Sequence, residues 1–368
     1  MKKIWVLMNL IFLSVLFSAC SPISKDDNPT IKKQNIAIST MDTFIGGEAY
    51  ASDETWKNVY QEMKDMYALY HELTDNFRGY DDVVGVYYIN ELVASTKMDQ
   101  TVEIRKELYD LLALGLELED FTDGYFNMSM GKIIDVWKDL IDDYLLPGET
   151  ISPDLIDHAL SVVDKIDIIE DAISLHTEDD KYFVTLKYGA KIDLGALAKG
   201  YVTQLAADLL KANDIKTFLL SGGGSSMIYG EGNPSRENGV YNTGLINPQD
   251  VIDNLNIIGY RPKYYGIYSS TNYNMTTSGS YNQFILSEDV MYHHIISPKT
   301  KKPENYYLTL SIVGDDAGWN DGLSTAMFSM PPDVLESFVN EHNLETFTYL
   351  FKKTYKAYNL SDNFKEIK

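Results

Sequence analysis

Apolar residues recur along much of the chain with the spacing of helices that bury one face. From Asp53 to Leu73, apolar and aromatic side chains return every three or four positions, and Asp53 is expected at the N-cap. The same spacing predicts helices over Thr101–Leu118 and Leu197–Ala212. Shorter helices are predicted over Pro153–Leu160, Asn320–Met330 and Asp333–Glu341.

Short runs rich in β-branched and aromatic residues lie between these helices and predict strands. Because helices and strands are mixed rather than strictly alternating, the pattern predicts an α+β fold rather than a doubly wound parallel sheet. The predicted strands are Val162–Ile169, Ala172–His176, Tyr182–Leu186, Lys216–Leu220, Asn242–Ile246, Leu255–Gly259, Tyr264–Ser269, Asn282–Leu286, His293–Ile296, Tyr307–Val313 and Thr346–Phe351.

The first twenty residues have the pattern of a lipoprotein signal peptide. Lys2 and Lys3 precede an apolar run over residues 4–16, and small residues lead to Cys20. The alternative is an uncleaved membrane anchor, but the run is shorter than the roughly 20 residues that span a bilayer. We therefore expect residues 1–19 to be removed, Cys20 to be lipidated, and residues 20–35 to form a flexible tether. The protein would then be lipid-anchored at the extracytoplasmic face of the cell membrane, with a folded region over 36–360 made of two closely packed subdomains.

Composition and charge narrow the function classes. Of 368 residues, 45% are hydrophobic, as in an ordinary globular protein, and 54 acidic residues against 31 Lys and Arg give a net charge of −23. Such a charge repels phosphate backbones, so no nucleic-acid partner is expected. With a single cysteine, the chain cannot form an internal disulfide or a cysteine-ligated metal cluster.

Asp321, Ser324 and Thr325 have the spacing of one helix face. Their carboxylate and two hydroxyls are hard oxygen donors of the kind that Mg²⁺ prefers, together with water and phosphate oxygens. An Asp near a helix start is also a common cap, and Thr in an apolar helix often bonds back to the main chain. Spacing alone leaves both interpretations open.

Other segments carry weaker indications. Lys199 lies in the first turn of a predicted helix, where the helix dipole prefers an anion; either a bound anion lies nearby or the side chain extends into solvent. Gly222–Gly224 fits a tight turn better than a nucleotide-binding motif. His293 and His294 could place one ring in a site and the other in water, or form a solvated pair. No HExxH, GxSxG or CxxC motif is present.

Taken in order along the chain, several segments resemble the ApbE family of FAD:protein FMN transferases. They are Met41-Asp42-Thr43-Phe44, Phe121 to Gly131 with its Asp-Gly-Tyr-Phe-Asn core, Ile192-Asp193-Leu194-Gly195-Ala196-Leu197-Ala198-Lys199-Gly200-Tyr201, Ser221-Gly222-Gly223, Thr277-Ser278-Gly279-Ser280-Tyr281, His294 to Thr300, and Asn320-Asp321-Gly322-Leu323-Ser324-Thr325-Ala326. The resemblance covers nearly all of the chain after the signal peptide. Asp42, Ser297, Lys301 and Asn320 depart from the family pattern.

The resemblance implies an ApbE-like fold and a Mg²⁺-dependent transfer of FMN from FAD to a Thr or Ser of exported proteins, with release of AMP. It implies that Ala196, through its carbonyl, joins Asp321, Ser324 and Thr325 in the metal site, with His294 as the candidate base. The FAD site would then be lined by Met41, Phe77, Tyr125, Phe126, Asn127, Asp193, Lys199 and Ile295.

Two other functions are compatible with the sequence. A Mg²⁺-dependent FAD pyrophosphatase would use water in place of the acceptor hydroxyl and release FMN and AMP. A non-catalytic flavin- or solute-binding lipoprotein would share the signal peptide and the tether. A signalling or adhesive surface protein is a third class, but no repeats support it.

Overall fold

The computed structural model describes residues 30–144, 146–255, 257–351 and 354–367. Its helices and largely antiparallel sheets confirm the predicted α+β class. The helices are α1 Asp53–Thr74, α2 Val86–Thr96, α3 Lys106–Phe121, α4 Gly131–Asp142, α5 Pro153–Val163, α6 Ala198–Ala212, α7 Pro248–Asp253, α8 Ala317–Phe328 and α9 Pro332–Glu341.

An eight-stranded sheet organises the described part of the fold, in the order β1-β2-β7-β8-β11-β14-β15-β16, with every neighbouring pair antiparallel. Smaller sheets have the orders β17-β10-β9, β13-β12-β4 and β3-β6-β5. The strands are β1 Lys32–Thr40, β2 Thr43–Ala51, β3 Gln100–Ile104, β4 Glu149–Thr150, β5 Ile173–Glu178, β6 Lys181–Leu186, β7 Phe218–Gly222, β8 Ser226–Tyr229, β9 Tyr241–Ile246, β10 Tyr264–Ser270, β11 Tyr273–Gly279, β12 Phe284–Ser287, β13 Val290–His293, β14 Tyr307–Gly314, β15 Thr346–Leu350, β16 Tyr355–Tyr358 and β17 Phe364–Glu366.

The large sheet separates two apolar cores. The main core is formed with helices that include α1, α6 and α8, and it buries Tyr67, Leu210 and Leu323 completely. A tyrosine-rich core lies between strands of the large sheet and the β9-β10 sheet, and it includes Tyr229 and Tyr265. A third core, around Trp137, joins α4 and α5 to β12. The helices that carry the candidate metal ligands are therefore held against one face of the large sheet.

The N-terminal predictions are tested only in part. Residues 1–29, with the signal peptide and Cys20, lie outside the described residues. Strand β1 begins at Lys32, so the tether boundary at residue 35 is wrong: residues 32–35 pair with β2 instead. Within the described residues, no helix is long and apolar enough to cross a membrane.

Several element predictions are wrong in detail. The N-cap of α1 is Ser52, whose hydroxyl accepts from the Thr55 amide, rather than Asp53. The expected helix over 101–118 divides into β3 and α3, because Thr101–Ile104 pairs with β6 before the helix starts. Residues 162–169 are not a strand: α5 continues to Val163, and a loop follows. Likewise, the described residues of 255–259 form turns.

The sequence pattern missed the hairpin at the start of the fold. Met41 and Asp42 form a two-residue turn between β1 and β2, and both have positive φ values, 50° and 52°. Such a turn suits the twist of a hairpin, and Asp tolerates this conformation better than most residues. Met41 therefore lies in the turn between the two strands.

Candidate functional site

The site is built where α6 meets α8. The Gly200 amide donates to Asp321 Oδ2 over 2.8 Å. A Cβ atom on Gly200 would lie 2.4 Å from Asp321 Cβ and 2.3 Å from the Ala317 carbonyl oxygen, so only glycine allows this approach. The two family-like segments that contain these residues thus meet through their main chains.

This contact leaves a free carbonyl at the start of α6. In a regular helix, the amide of residue 200 would donate to the carbonyl of residue 196. Here the Gly200 amide donates to Asp321 instead, and no hydrogen bond among the described residues reaches the Ala196 carbonyl or Asp321 Oδ1. Two uncommitted oxygens, one of them anionic, are therefore available for a cation.

The two predicted hydroxyl ligands are placed differently. The Thr325 side chain is half-buried and donates to the Asp321 carbonyl over 3.2 Å. Ser324 is fully buried, and its hydroxyl lies 2.8 Å from the Ser278 hydroxyl on β11. Of these two, Thr325 is the more accessible donor, while Ser324 also ties α8 to the sheet.

The donor set fits a magnesium ion in kind. It contains a carboxylate, a main-chain carbonyl and hydroxyls, all of them hard oxygen donors, and Mg²⁺ usually completes such a set with water or phosphate oxygens. Among the described residues there is no cluster of three or more His, Cys, Asp or Glu that could hold a metal. That finding concerns metal sites built from several such side chains. It does not bear on the set around Asp321, which has a single carboxylate.

Lys199 supplies positive charge beside Asp321. Its ammonium group donates to the Gly195 carbonyl over 2.8 Å. Burial raises the pKa of Asp321, whereas the charge of Lys199 and the Gly200 hydrogen bond act to lower it. The unusual cation in the first turn of α6 is thus stabilised in part by a carbonyl and a carboxylate.

Asp193 is held at the entry to α6 by a residue that the sequence analysis missed. The Asn76 side-chain amide donates to Asp193 Oδ2 over 2.8 Å, and the Gly195 amide donates to Oδ1 over the same distance. Asn76 Oδ1 is buried and has no hydrogen-bond partner among the described residues. Only its position next to Phe77 in the sequence could have drawn attention to it.

Phe77 presents its ring to solvent among cations. Its side chain is 56% exposed, and the ammonium groups of Lys138 and Lys191 lie 5.3 and 6.0 Å from the ring centroid. Asp75 accepts from the Phe77 and Arg78 amides and so fixes the loop. The ring is therefore available to stack on a planar group, with positive charge close by.

The two adjacent histidines have different environments. His293 is fully buried, accepts from the Ile295 amide at Nδ1 and donates from Nε2 to the Glu304 carbonyl, and burial lowers its pKa to about 3. It is a neutral part of the core.

The His294 ring is exposed on one side although protein surrounds the rest of it, and its Nδ1 lies 3.4 Å from the Gln283 carbonyl, which can only accept. Desolvation by the surrounding protein, with the charges of Lys199 and Lys138, lowers the pKa of His294. A neutral ring with Nε2 free is the form that can accept a proton.

The loop over 123–127 is tied to the segment after His294. Lys299 donates to the Asp123 carbonyl over 2.5 Å and lies 5.2 Å from the centre of the half-buried Tyr125 ring. Asn127 instead turns its side chain toward Glu119 and Ser129.

The remaining predicted FAD-site residues are mostly enclosed. Phe126 and Ile295 are only 4% and 8% exposed. Met41 is half-buried in its hairpin turn, and Asp42 lies close enough to Arg78 for their charges to interact. The structure thus gathers the Asp193, Lys199, Asp321, His294 and Phe77 segments, while Phe126, Asn127 and Ile295 offer little free side-chain surface.

The geometry of the site defines a class of ligand, and the sequence defines a family. An α+β fold that places a carboxylate, a free carbonyl and a lysine together has the groups that a divalent cation and a phosphate-bearing ligand require. The sequence model of the ApbE family matches residues 41–348, so the chain belongs to the ApbE family.

Named relatives are distant in sequence. A Treponema pallidum protein named FAD:protein FMN transferase is 26% identical over 234 residues, covering 62% of this chain and 60% of that protein. A Klebsiella pneumoniae protein of the same name is 22% identical and is covered over 64% of its length. The chain therefore spans less than two thirds of these relatives.

Solved structures share the fold. The ApbE protein from Thermotoga maritima superposes with a TM-score of 0.70 at 19% identity, covering 89% of this chain and 97% of that one. The flavin transferase ApbE from Vibrio cholerae gives 0.64 at 17% identity with the same coverage.

Proposed function

We propose that this protein is a Mg²⁺-dependent FAD:protein FMN transferase. The observation that carries the proposal is the meeting of α6 and α8, where Asp321 Oδ1 and the Ala196 carbonyl are left free beside Lys199. Family membership and the names of the relatives support the same activity.

The residues around the site suit a flavin dinucleotide. Lys138, Lys191, Lys199 and Arg78 gather there although the whole chain carries a net charge of −23. Lys138 and Lys191 are paired with Asp142 and Asp135. Lys199 has no such ion pair among the described residues and would be the cation that meets the pyrophosphate. The exposed Phe77 ring would stack on a planar ring of FAD.

Asp321, the Ala196 carbonyl and Thr325, with Ser324 behind them, would hold the magnesium ion. When bound, the ion would neutralise pyrophosphate charge and stabilise the departing AMP.

In the reaction, a Thr or Ser hydroxyl of an exported acceptor attacks the phosphorus of the FMN half. A new P–O ester bond forms as the pyrophosphate P–O bond breaks, and AMP leaves with the bonding electrons. His294 Nε2 takes the hydroxyl proton.

We further propose that the protein works at the outer face of the cell membrane. The proposal rests on the signal-peptide pattern and Cys20, which would carry the lipid. Exported acceptor proteins would then meet the enzyme in the same compartment. Metabolic labelling with palmitate should mark the wild-type protein and leave Cys20→Ser unlabelled.

Product analysis separates this function from its alternatives. The soluble protein lacking residues 1–20 is incubated with FAD and Mg²⁺, with and without an acceptor. A transferase releases AMP only as the acceptor gains FMN. Free FMN and AMP without acceptor labelling would indicate the pyrophosphatase, and intact FAD would indicate a binding protein.

Replacing His294 by glutamine should lower the transfer rate about 10²- to 10⁴-fold, the usual contribution of a general base. Because the pKa of His294 is lowered, its ring stays neutral well below pH 6.5, and the wild-type kcat/KM should show no acid limb from this residue between pH 6 and 8. A pH profile of kcat/KM checks both points. If His294→Gln turned over at the wild-type rate, His294 would not be the base. The matched control is His158→Gln, which changes an exposed histidine on α5.

Replacing Asn76 by alanine should weaken FAD binding about three- to thirtyfold. The change removes one hydrogen bond to Asp193 and the buried acceptor Oδ1 that a ligand N–H group could use. Flavin fluorescence titration measures the dissociation constant. The exposed Asn213→Ala should leave it unchanged, and an unchanged value for Asn76→Ala would contradict the assignment.

A further inference from the structure

A groove of about 280 Å³ lies on the side of the large sheet that faces the β9-β10-β17 sheet. Its floor is made by alternate residues of three adjacent strands, which is how a sheet presents one face. They are Met227 and Tyr229 of β8, Met275 and Thr277 of β11, and Thr309 and Ser311 of β14.

One wall of the groove is a strand edge. Residues 242–246 of β9 all line it, although a strand face would contribute only every second residue. In the part of the chain that the structure describes, β9 pairs only with β10 and forms the edge of its sheet. Alternate N–H and C=O groups of β9 therefore point away from β10, into or along the groove.

One residue that lines the groove, Tyr265, has a buried hydroxyl without a partner among the described residues. Tyr265 of β10 is 6% exposed, and its hydroxyl makes no hydrogen bond within the part of the chain that the structure describes. Burial raises the pKa of Tyr265, so the group stays protonated and can both donate and accept. Buried polar groups usually have a partner, and an occupant of the groove would supply one to Tyr265.

Charge limits what could bind there. None of the described residues that line the groove is charged, although the chain as a whole carries −23. An uncharged occupant fits such a surface, and a free strand edge is complemented by the regularly spaced N–H and C=O groups of an extended polypeptide.

One end of the groove leads toward the candidate active site. Gly224 and Ser225 line this end, and they follow Gly222, where a Cβ atom would lie 2.2 Å from Thr203 Oγ1 of α6. The Thr203 hydroxyl in turn donates to the Lys199 carbonyl over 2.6 Å. A segment bound in the groove would thus leave it beside the helix that carries Lys199.

We propose that this groove is a docking site for an extended, uncharged segment of the acceptor protein, which adds a strand to β9 and gives Tyr265 its hydrogen-bond partner. The proposal rests on the proposed transferase function. It separates acceptor recognition from FAD binding, because groove and site lie on opposite faces of the sheet: Thr277 faces the groove, while the next residue, Ser278, bonds to Ser324 of α8.

The first test replaces Tyr265 by phenylalanine and measures transfer kinetics with an acceptor that the wild-type protein labels. The acceptor KM should rise about three- to tenfold, as expected for one lost hydrogen bond, with FAD KM and kcat within about twofold. Tyr358→Phe, a buried tyrosine of β16 outside the groove, is the matched control and should change neither constant.

The second test blocks the strand edge. In a protein without residues 1–20, no natural cysteine remains, so Asn242→Cys can be coupled to a maleimide-polyethylene glycol chain. The adduct should lose at least about tenfold in acceptor kcat/KM and keep the wild-type FAD affinity. The same adduct at Lys365→Cys, on the opposite edge strand β17, should behave as wild type.

Unchanged acceptor KM in Tyr265→Phe and in the position-242 adduct would overturn the proposal. A second result would also overturn it: the position-242 adduct sediments as a monomer while the unmodified protein sediments as a dimer, and the acceptor kinetics are unaffected. In that case a second copy of this chain would be the occupant of the groove. If the unmodified protein transfers no FMN to any acceptor, the proposed function itself fails, and that result is distinct from these.

Discussion

Replacing Asp321 by asparagine should lower FMN transfer on the order of 10³-fold or more. A metal site contributes several kcal/mol of charge stabilisation in the transition state, and each 1.36 kcal/mol is a factor of ten in rate. The asparagine oxygen can still accept from the Gly200 amide, so the contact of α6 with α8 is kept while the anionic oxygen is lost.

The loss of Mg²⁺ binding in Asp321→Asn should also be measurable without an activity assay. In wild-type protein, Mg²⁺ at about 100 times its dissociation constant should add about 2.7 kcal/mol to the free energy of unfolding, and Asp321→Asn should remove that gain. Differential scanning fluorimetry with and without Mg²⁺ measures it.

Without Mg²⁺, Asp321→Asn should raise the stability of the folded protein. Burial raises the pKa of Asp321 above the value in the unfolded chain, so the folded state disfavours the ionised carboxylate. This group therefore lowers stability above its folded pKa, and stability recovers as the pH falls through that pKa. In EDTA at neutral pH, Asp321→Asn should thus unfold at a higher temperature than wild type.

Asp316→Asn is the matched control. Asp316 caps the same helix by accepting from the Trp319 amide, and asparagine caps a helix about as well as aspartate. This variant should keep both transfer and the stabilisation by Mg²⁺. If Asp321→Asn kept them as well, the metal assignment would be wrong.

Replacing Gly200 by alanine should damage the site through packing alone. The added methyl carbon would lie 2.3 Å from the Ala317 carbonyl oxygen and 2.4 Å from Asp321 Cβ, both far inside contact distance. Since one neighbour is main chain and the other is the root of a buried side chain, the helices must move apart. Overpacking of this kind costs about 1–3 kcal/mol of stability. A shift of Asp321 by about 1 Å should also cost about 10²-fold in rate.

Urea unfolding and transfer assays at a temperature where the variant is folded separate the two effects of Gly200→Ala. Lys211→Ala, at an exposed position of the same helix, should change stability by less than about 0.5 kcal/mol and leave transfer intact. Wild-type stability and rate in Gly200→Ala would show that the two helices do not meet as described.

Local patterns in the sequence were enough to predict the α+β class, most helices and many strands. They work where apolar spacing and local propensity agree, as in α1 and α6. They fail where distant pairing decides: Thr101–Ile104 becomes a strand because β6 lies beside it, and β1 forms because the Met41-Asp42 turn brings it back to β2.

The candidate site also contains residues that local sequence patterns predict and residues that only distant contacts bring together. Helical spacing places Asp321 and Thr325 on one face, and the family resemblance joins them to Ala196 and Lys199. No local rule shows that the Gly200 amide donates to Asp321, because 121 residues separate the two groups. Asn76 was not predicted as a site residue for the same reason, since 117 residues separate it from its hydrogen-bond partner Asp193.

The intact mass of an exported acceptor, measured after incubation with the soluble protein, FAD and Mg²⁺, tests the proposed transferase function directly. For the proposed transferase, we expect a mass gain of one FMN less one water, matched by the release of one AMP and abolished by EDTA or by Asp321→Asn. An acceptor whose mass stays unchanged, whether FAD is cleaved to FMN and AMP or remains intact, would contradict the proposed function.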